Sequence, residues 1–398
     1  MAGKLRVVIC GTGSAAHVLG AVVSSSGDVD VRVLSLNVVR AAEWREIVGT
    51  APLTVTARDD FQVEANGLTI TSDPEVAGRD CDIVIISVPA FMHQQYLAAL
   101  EPYLPDGCVI VGLPGQNGFE FDVRKVFGPR FASVLVINFE SLPWICRTDE
   151  FGRSARILGS KARLVGAMHG DPSRSRISDP VPVLQQLLGE PPRLVISGHP
   201  LGITLRSPNA YSHPPIMFGR WKNWDGEGLE EPPLFYQGVD EETAELLEEI
   251  SDEVVATSKS IMSDHPGVDL SQVIPMYDWD IGCYGADIAD KTNLMTALRT
   301  NSGYSGMTHP MIRRDNGEYV PDFTHRFLSE DVPFGLVVIR GIAELAGVPT
   351  PQMDRVLCWS QHAMGREYLV GNRLSGADVP FTRAPQRYGF TLDDILIA

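Results

Sequence analysis

The sequence predicts an α/β domain built on a mostly parallel sheet, followed by a mainly α-helical second domain, and three observations point there. The first half of the 398 residues repeats short β-branched runs separated by helix-compatible segments. The chain opens on a strand that breaks into a glycine-rich turn and then a helix. Beyond residue 199 the strand runs give way to apolar residues spaced three and four apart.

The opening strand, Leu5 to Cys10, runs into Gly11-Thr12-Gly13-Ser14-Ala15-Ala16-His17, a GxGxxA pattern. Gly11 permits a tight turn, Gly13 lets the backbone approach a pyrophosphate, and Ala16 is small where helix and strand pack. A strand-turn-helix setting of this kind predicts a Rossmann dinucleotide site, with the anion at the positive helix end and NADH or NADPH as cofactor. An ordinary Gly-rich turn is the competing reading. The helix is expected over residues 15–24 and the next strand over 29–36, giving a βαβ unit of the required length. At the end of that strand NAD-selective folds carry an acidic residue, but this chain has Ser35-Leu36-Asn37-Val38-Val39-Arg40. Asn37 can bind a bare ribose, and Arg40 can face a 2′-phosphate or be a solvated helix residue. NAD against NADP therefore stays open on these residues.

Further strands are predicted over 68–71, 83–88, 109–113, 134–138, 163–167 and 193–197. Ligands of such sheets bind beyond the carboxyl ends of the strands, where Ser87-Val88-Pro89 sits. Pro89 either lies against the cofactor or simply ends a strand. The change of texture after Gly198 divides the chain into a Rossmann domain, residues 1–198, and a helical substrate and catalytic domain, residues 199–398. In the latter, helices are expected over 241–262, over 336–345 with Gly347 beyond the end, and from the Thr350-Pro351 cap through Met364 and Tyr368.

Composition narrows the function classes. A hydrophobic content of 44% fits a globular chain, and a formal charge of −17 argues against nucleic-acid and anionic-membrane partners. Residues 1–198 carry 18 basic and 21 acidic side chains and the remainder 15 and 29, so the second half is the acidic one, a charge that serves solubility first and would also favour a cationic substrate. No apolar run reaches membrane-span length and no signal-peptide pattern opens the chain, which predicts a cytoplasmic protein. The six scattered cysteines form no CxxC pair and read as buried free thiols, and no metal site is expected. With no dedicated dimerisation helix in view, a monomer is expected.

Hydride transfer to a carbonyl or imine carbon needs a proton donor, a group that fixes the donor's tautomer, and a cation for a substrate carboxylate. Of the nine histidines, His213 stands out in Ser207-Pro208-Asn209-Ala210-Tyr211-Ser212-His213-Pro214-Pro215, where two prolines stiffen the backbone. A packing imidazole is the alternative. The segment His325-Arg326-Phe327-Leu328-Ser329-Glu330-Asp331 offers Arg326 as a two-pronged carboxylate clamp and Asp331 as an acceptor for one imidazole nitrogen. Asp331 also stands near a helix start, where it can serve as an ordinary cap.

These motifs, with Leu113-Pro114-Gly115-Gln116-Asn117-Gly118 and Glu140-Ser141-Leu142-Pro143-Trp144, resemble those of the opine dehydrogenases, octopine dehydrogenase type, over nearly the whole chain. The resemblance implies a catalytic cleft between two domains, where an amino acid and an α-keto acid such as pyruvate condense to an imine that NADH or NADPH reduces. It slightly favours NADH. It further implies that His213 is the acid-base residue, Asp331 its orienting partner and Arg326 the keto-acid clamp. Gln116 matches a keto-acid contact, and Glu140 and Trp279 walls of the amino-acid site. The acidic second domain and Glu140 lean towards arginine as the amino acid. Two other readings compete: a two-domain reductase of the ketopantoate or glycerol-phosphate kind, and a non-catalytic nucleotide-sensing module. The former usually relies on a lysine, and Lys222, Lys259 and Lys291 stand in no suggestive setting.

Overall fold

Successive apolar strands, each followed by a helix or loop that returns the chain, build the first unit of the protein. The computed structural model describes residues 4–58 and 60–397, and the chain divides into two compact units between Ile203 and Thr204. In the first unit the order is β1 (Leu5–Cys10), α1 (Ser14–Ser25), β2 (Val29–Leu34), α2 (Val38–Val48), β3 (Leu53–Thr56), β4 (Gln62–Ala65) and β5 (Thr69–Thr71). Then follow α3 (Pro74–Gly78), β6 (Ile83–Ile86), α4 (Ala90–Leu100), β7 (Val109–Gly112), α5 (Phe119–Phe127) and β8 (Leu135–Phe139). The unit is completed by β9 (Trp144–Glu150), β10 (Ser154–Ser160), β11 (Arg163–His169), α6 (Pro180–Leu188) and β12 (Arg193–Ile196).

Eight of these strands form one sheet in the order β12-β11-β8-β7-β6-β1-β2-β5. All neighbours are parallel except β11 and β8, so β11 and β12 run against the other six. Strand residues alternate between two cores: Val7, Ile9, Ile83 and Ile85 enter one, and Val8, Cys10, Val84 and Ile86 the other. This is why the strands read as continuous apolar runs rather than polar–apolar alternations. The strand order reverses at β1, with β2 on one side and β6 on the other. The turns after β1 and β6 therefore meet at the switch point where doubly wound sheets hold ligands.

A second, four-stranded sheet, β4-β3-β10-β9, was not foreseen from the sequence. Its signals were weak but present: Leu53 and Val55 are the inward residues of a short alternating run, and Gly152 takes a positive φ in the turn between β9 and β10.

The second unit is mainly helical. It holds most of α7 (Pro200–Arg206), followed by α8 (Asn209–Trp221), α9 (Glu241–Asp264), α10 (Met276–Tyr284), α11 (Leu294–Thr300) and α12 (Arg326–Ser329). A π-helical turn, Val332–Leu336, leads into α13 (Val337–Leu345), and α14 (Pro351–Met364), α15 (Pro385–Tyr388) and α16 (Leu392–Ile395) complete it. Helix α9 buries Leu246, Ile250, Val254, Ser258 and Ile261, the stripe that the spacing predicted.

Several local expectations are corrected. Helix α14 stops at Met364 because Gly365 adopts the left-handed conformation, leaving Tyr368 outside it. Thr350 makes no side-chain cap; the Glu253 carboxylate of α9 instead accepts the Gln352 and Met353 N–H groups at 2.7 and 3.0 Å. The second strand ends at Leu34 rather than residue 36. All six cysteines are free, but Cys146 and Cys283 are only half-buried and Cys358 is exposed. Among the described residues no helix is long and apolar enough to cross a membrane.

Candidate active site

The glycine-rich turn has the geometry that its residue types suggested. Gly11 has φ +113°, and a Cβ there would lie 2.7 Å from Val88 Cγ1, so both conformation and contact exclude a side chain. This places Gly11 directly against the Ser87-Val88-Pro89 turn, whose Pro89 stands at the N-cap of α4. Gly13 differs: it caps α1 with no side chain, its backbone is not left-handed, and a Cβ would meet nothing within 4 Å. First-turn N–H groups of a helix lack intrahelical acceptors, and an exposed glycine cap leaves them open to an anion. Thr12, Ser14 and Ala15 are half-buried around this turn and Ala16 is buried against the sheet. The cradle fits a dinucleotide pyrophosphate.

The turn is braced by the unforeseen second sheet. Thr148 of β9 donates its N–H and its hydroxyl to Ser14 Oγ, at 2.9 and 3.1 Å. His17 is buried and stacked on Trp44, with ring centroids 4.1 Å apart. Its Nδ1 donates to Gly13 O and its Nε2 accepts the Gly152 N–H, both at 2.9 Å. Burial lowers the pKa of this imidazole to about 4, which keeps it neutral in that role. Sequence reasoning treated His17 only as a residue of the cofactor helix; its long-range partners carry no local signature.

At the end of β2, Asn37 caps α2 by accepting the Arg40 N–H at 3.1 Å. Arg40 pairs with Glu43 at 2.9 Å and lies 3.6 Å over the Phe151 ring. Near the ends of β7 and β8, Gln116 adopts φ +59°, a conformation unusual for a residue with a Cβ, and its carbonyl accepts from Asn138 Nδ2 at 3.0 Å. Glu140 is buried rather than solvated, and its Oε1 accepts the Val165 N–H at 3.3 Å.

In the helical unit the two prolines of α8 act through a break one turn earlier. A proline inside a continuous helix clashes with the carbonyl four residues back. Tyr211 leaves helical geometry (φ −120°, ψ 15°), so Pro214 and Pro215 fall in the first turn of the segment that resumes after it. His213 rides on that rigid first turn. Its Nδ1 lies 2.7 Å from Asp331 Oδ2, and both side chains are buried. Asp331 precedes the π-helical turn yet makes no side-chain cap bond, because its carboxylate is turned to the imidazole. The other imidazole nitrogen, Nε2, lies 2.7 Å from the Tyr236 hydroxyl, and Phe327 packs on the ring with centroids 4.0 Å apart.

Arg326 opens α12 and pairs with Glu330 at 2.7 Å; its side chain is 56% exposed, while that of Glu330 is wholly buried. Trp279 is buried in α10, with its ring 6.0 Å from that of Tyr284. The structure thus joins His213 to Asp331 and sets Arg326 at the other end of the same short helical segment. It adds Tyr236 and Glu330, which the sequence did not mark: Tyr236 sits in Leu234-Phe235-Tyr236-Gln237-Gly238, a stretch with no periodicity or spacing to flag it.

Residues 196–364 match the family described as NAD/NADP octopine/nopaline dehydrogenase, alpha-helical domain. Tauropine dehydrogenase of Arabella iricolor is 45% identical over 98% of this chain and 99% of its own length. The chain belongs to the opine dehydrogenase family. Octopine dehydrogenase of Pecten maximus is 42% identical over 98% of each chain. A solved octopine dehydrogenase with NADH and L-arginine matches with a TM-score of 0.94 at 42% identity, covering 99% of this chain and 98% of that one. This opine dehydrogenase is accordingly an NAD(P)-dependent oxidoreductase, with a Rossmann-type unit followed by the family's helical domain. The family assignment displaces the ketopantoate-type reductase and the nucleotide-sensing module as readings.

Proposed function

We propose that this opine dehydrogenase joins an amino acid, with arginine favoured, to an α-keto acid such as pyruvate by reducing the imine they form, with His213 as the acid-base residue. The observation that carries this reading is the buried 2.7 Å contact between His213 Nδ1 and Asp331 Oδ2. The turn from Gly11 to Ala16 would hold the dinucleotide, which would supply the hydride for the imine carbon. In the reductive direction, imidazolium at His213 gives its Nε2 proton to the reacting heteroatom; in the oxidative direction the neutral ring takes it back. Asp331 holds the ring orientation and stabilises the cation. Arg326 binds the keto-acid carboxylate through its guanidinium while Glu330 holds the opposite edge.

Several observations support the substrate and cofactor choices. The second half of the chain carries 29 acidic against 15 basic side chains, and Glu140 is a buried carboxylate, both suited to a cationic amino acid. A solved relative was studied with arginine. Arg40 is engaged by Glu43 and Phe151, and Asn37 by the Arg40 N–H, which favours NADH over a cofactor with a 2′-phosphate.

The test is nicotinamide absorbance followed while pyruvate is mixed with single amino acids, with NADH and NADPH compared side by side. Oxidation is expected only when both substrates are present, fastest with arginine and NADH. Oxidation by pyruvate alone would overturn the imine route. His213→Ala should retain cofactor binding and lose turnover by about 10² or more, and near-normal turnover would remove His213 from the mechanism.

A further inference from the structure

Both nitrogens of the His213 imidazole are already engaged within the helical unit. Nδ1 faces the buried Asp331 carboxylate and Nε2 faces the Tyr236 hydroxyl, each at 2.7 Å. An imidazole with two partners can reach a substrate only by exchanging one of them. Asp331 is the costly one to lose, since separation would leave a buried carboxylate without its imidazole partner. Tyr236 is the cheap one, because a neutral phenol on the segment between α8 and α9 gives up one ordinary hydrogen bond.

We propose that Tyr236 is a positioning residue that holds His213 Nε2 in the resting enzyme and yields it when substrate enters. This deepens the acid-base reading of His213 and rests on it. The phenol suits the task chemically: its O–H donates to a neutral Nε2, and its oxygen accepts from a protonated one, so the ring is held in either state. Burial, with Tyr284, Asp331 and Asp280 nearby, pushes the Tyr236 pKa far upward, so the group stays a neutral phenol at working pH. Its ring is held by a stack on Tyr304, with centroids 4.1 Å apart, and by an edge contact with Phe235. Tyr304 in turn donates its hydroxyl to the buried Asp280 at 3.0 Å. The other ionisable group facing His213 is His325 at the start of α12, set edge-on against the Phe327 ring, with Asp322 and Arg326 beside His325 and Glu330 on Arg326.

The consequence is a difference between free and substrate-bound enzyme. A hydrogen bond to a cation is stronger than one to a neutral ring, so removing the phenol disfavours imidazolium in the free enzyme. Once substrate holds Nε2, the phenol no longer matters. In Tyr236→Phe, which keeps both ring contacts, the alkaline limb of reductive kcat/KM should move about 0.5–1 pH unit lower. The alkaline limb of kcat should stay in place, because kcat/KM reports the free enzyme and kcat the complex.

The experiment measures both profiles with NADH, pyruvate and L-arginine, alongside ¹⁵N NMR of the His213 ring in the substrate-free protein. A shift of the kcat/KM limb alone, with a displaced Nε2 resonance and an unmoved Nδ1 resonance, is the expected result. Limbs that both move together would show that Tyr236 never leaves Nε2, and an unchanged Nε2 resonance in Tyr236→Phe would show that it does not hold it; either overturns the proposal. Failure of the parent reading looks different: His213→Ala would then keep its turnover, whatever Tyr236→Phe does. The NMR comparison reads the Tyr236 contact even if arginine and pyruvate are not turned over.

Discussion

His213 donates Nδ1–H to Asp331 over 2.7 Å although 118 residues separate them in the chain. The contact favours the tautomer with the proton on Nδ1, which leaves Nε2 as the nitrogen that would exchange protons in the proposed reaction. Asp331→Asn keeps the shape but presents an amide that can donate to Nδ1, which moves the ring proton to the wrong nitrogen. We expect kcat to fall by about 10²–10⁴ with dinucleotide affinity unchanged. Steady-state rates and a fluorescence titration with NADH check it, and a loss below about threefold would deny Asp331 its orienting role.

The two glycines of the cofactor turn should respond differently to the same added methyl. At Gly11 a Cβ meets Val88 Cγ1 at 2.7 Å in a left-handed backbone, so Gly11→Ala should cost about 1–3 kcal/mol of stability. At Gly13 a Cβ meets nothing. Gly13→Ala should therefore melt like the parent protein while its KM for NADH rises, because the methyl intrudes only on the ligand. Equal effects of the two substitutions on melting temperature and KM would refute the division.

Two buried histidines, His17 and His309, and the half-buried His169 make the fold sensitive to acid. Burial lowers the pKa of His17 and of His169 from 6.5 to about 4 and that of His309 to about 3. Between those values and 6.5 the unfolded chain binds protons that the native state refuses, so their contribution is fully present above pH 6.5 and declines as pH falls towards 4. Glu253 and Asp280 act in the opposite sense, since burial raises them to about 7 and 6 and their contribution is lost as pH rises through those values. Histidine NMR should show His17, His169 and His309 titrating well below 6.5. A normal titration for any of them would remove it from the acid-sensitive set.

The ion pair of Arg326 with Glu330 and its proposed role as the keto-acid clamp are two duties that substitution can separate. Arg326→Ala takes the guanidinium from the buried Glu330 and should lower stability as well as raise KM for the keto acid. Arg326→Lys keeps a cation for Glu330 but not the planar fork, so stability should largely return while KM stays raised. A KM for pyruvate that is normal in both variants would assign the clamp to another residue.

Much of the first unit was legible because its strands are buried on both faces and therefore appear as unbroken β-branched runs such as Asp82-Ile83-Val84-Ile85-Ile86. The glycine turn was legible because its backbone conformation admits few residue types. The second sheet was not: β3 and β4 are four residues each and only partly buried, too short for periodicity to stand out. The same limit hid the supports of the site. Nothing local in the sequence ties His17 to Gly152, Glu253 to the start of α14, or Tyr236 to His213.

By itself, then, the amino-acid order determined the alternation of strands and helices, the glycine-rich turn between β1 and α1, and which residues were candidates for the chemistry. These are short-range properties, set by backbone freedom at Gly11, periodicity along α9 and the stiffness of Pro214-Pro215. The tertiary structure decided the pairings: that Asp331 serves His213 rather than its own helix, that Glu253 holds the start of α14, and that a tyrosine closes the remaining imidazole nitrogen. Pairings of that kind arise from packing between segments distant in the chain, and a hydrogen bond between two buried groups leaves no mark on the spacing of either.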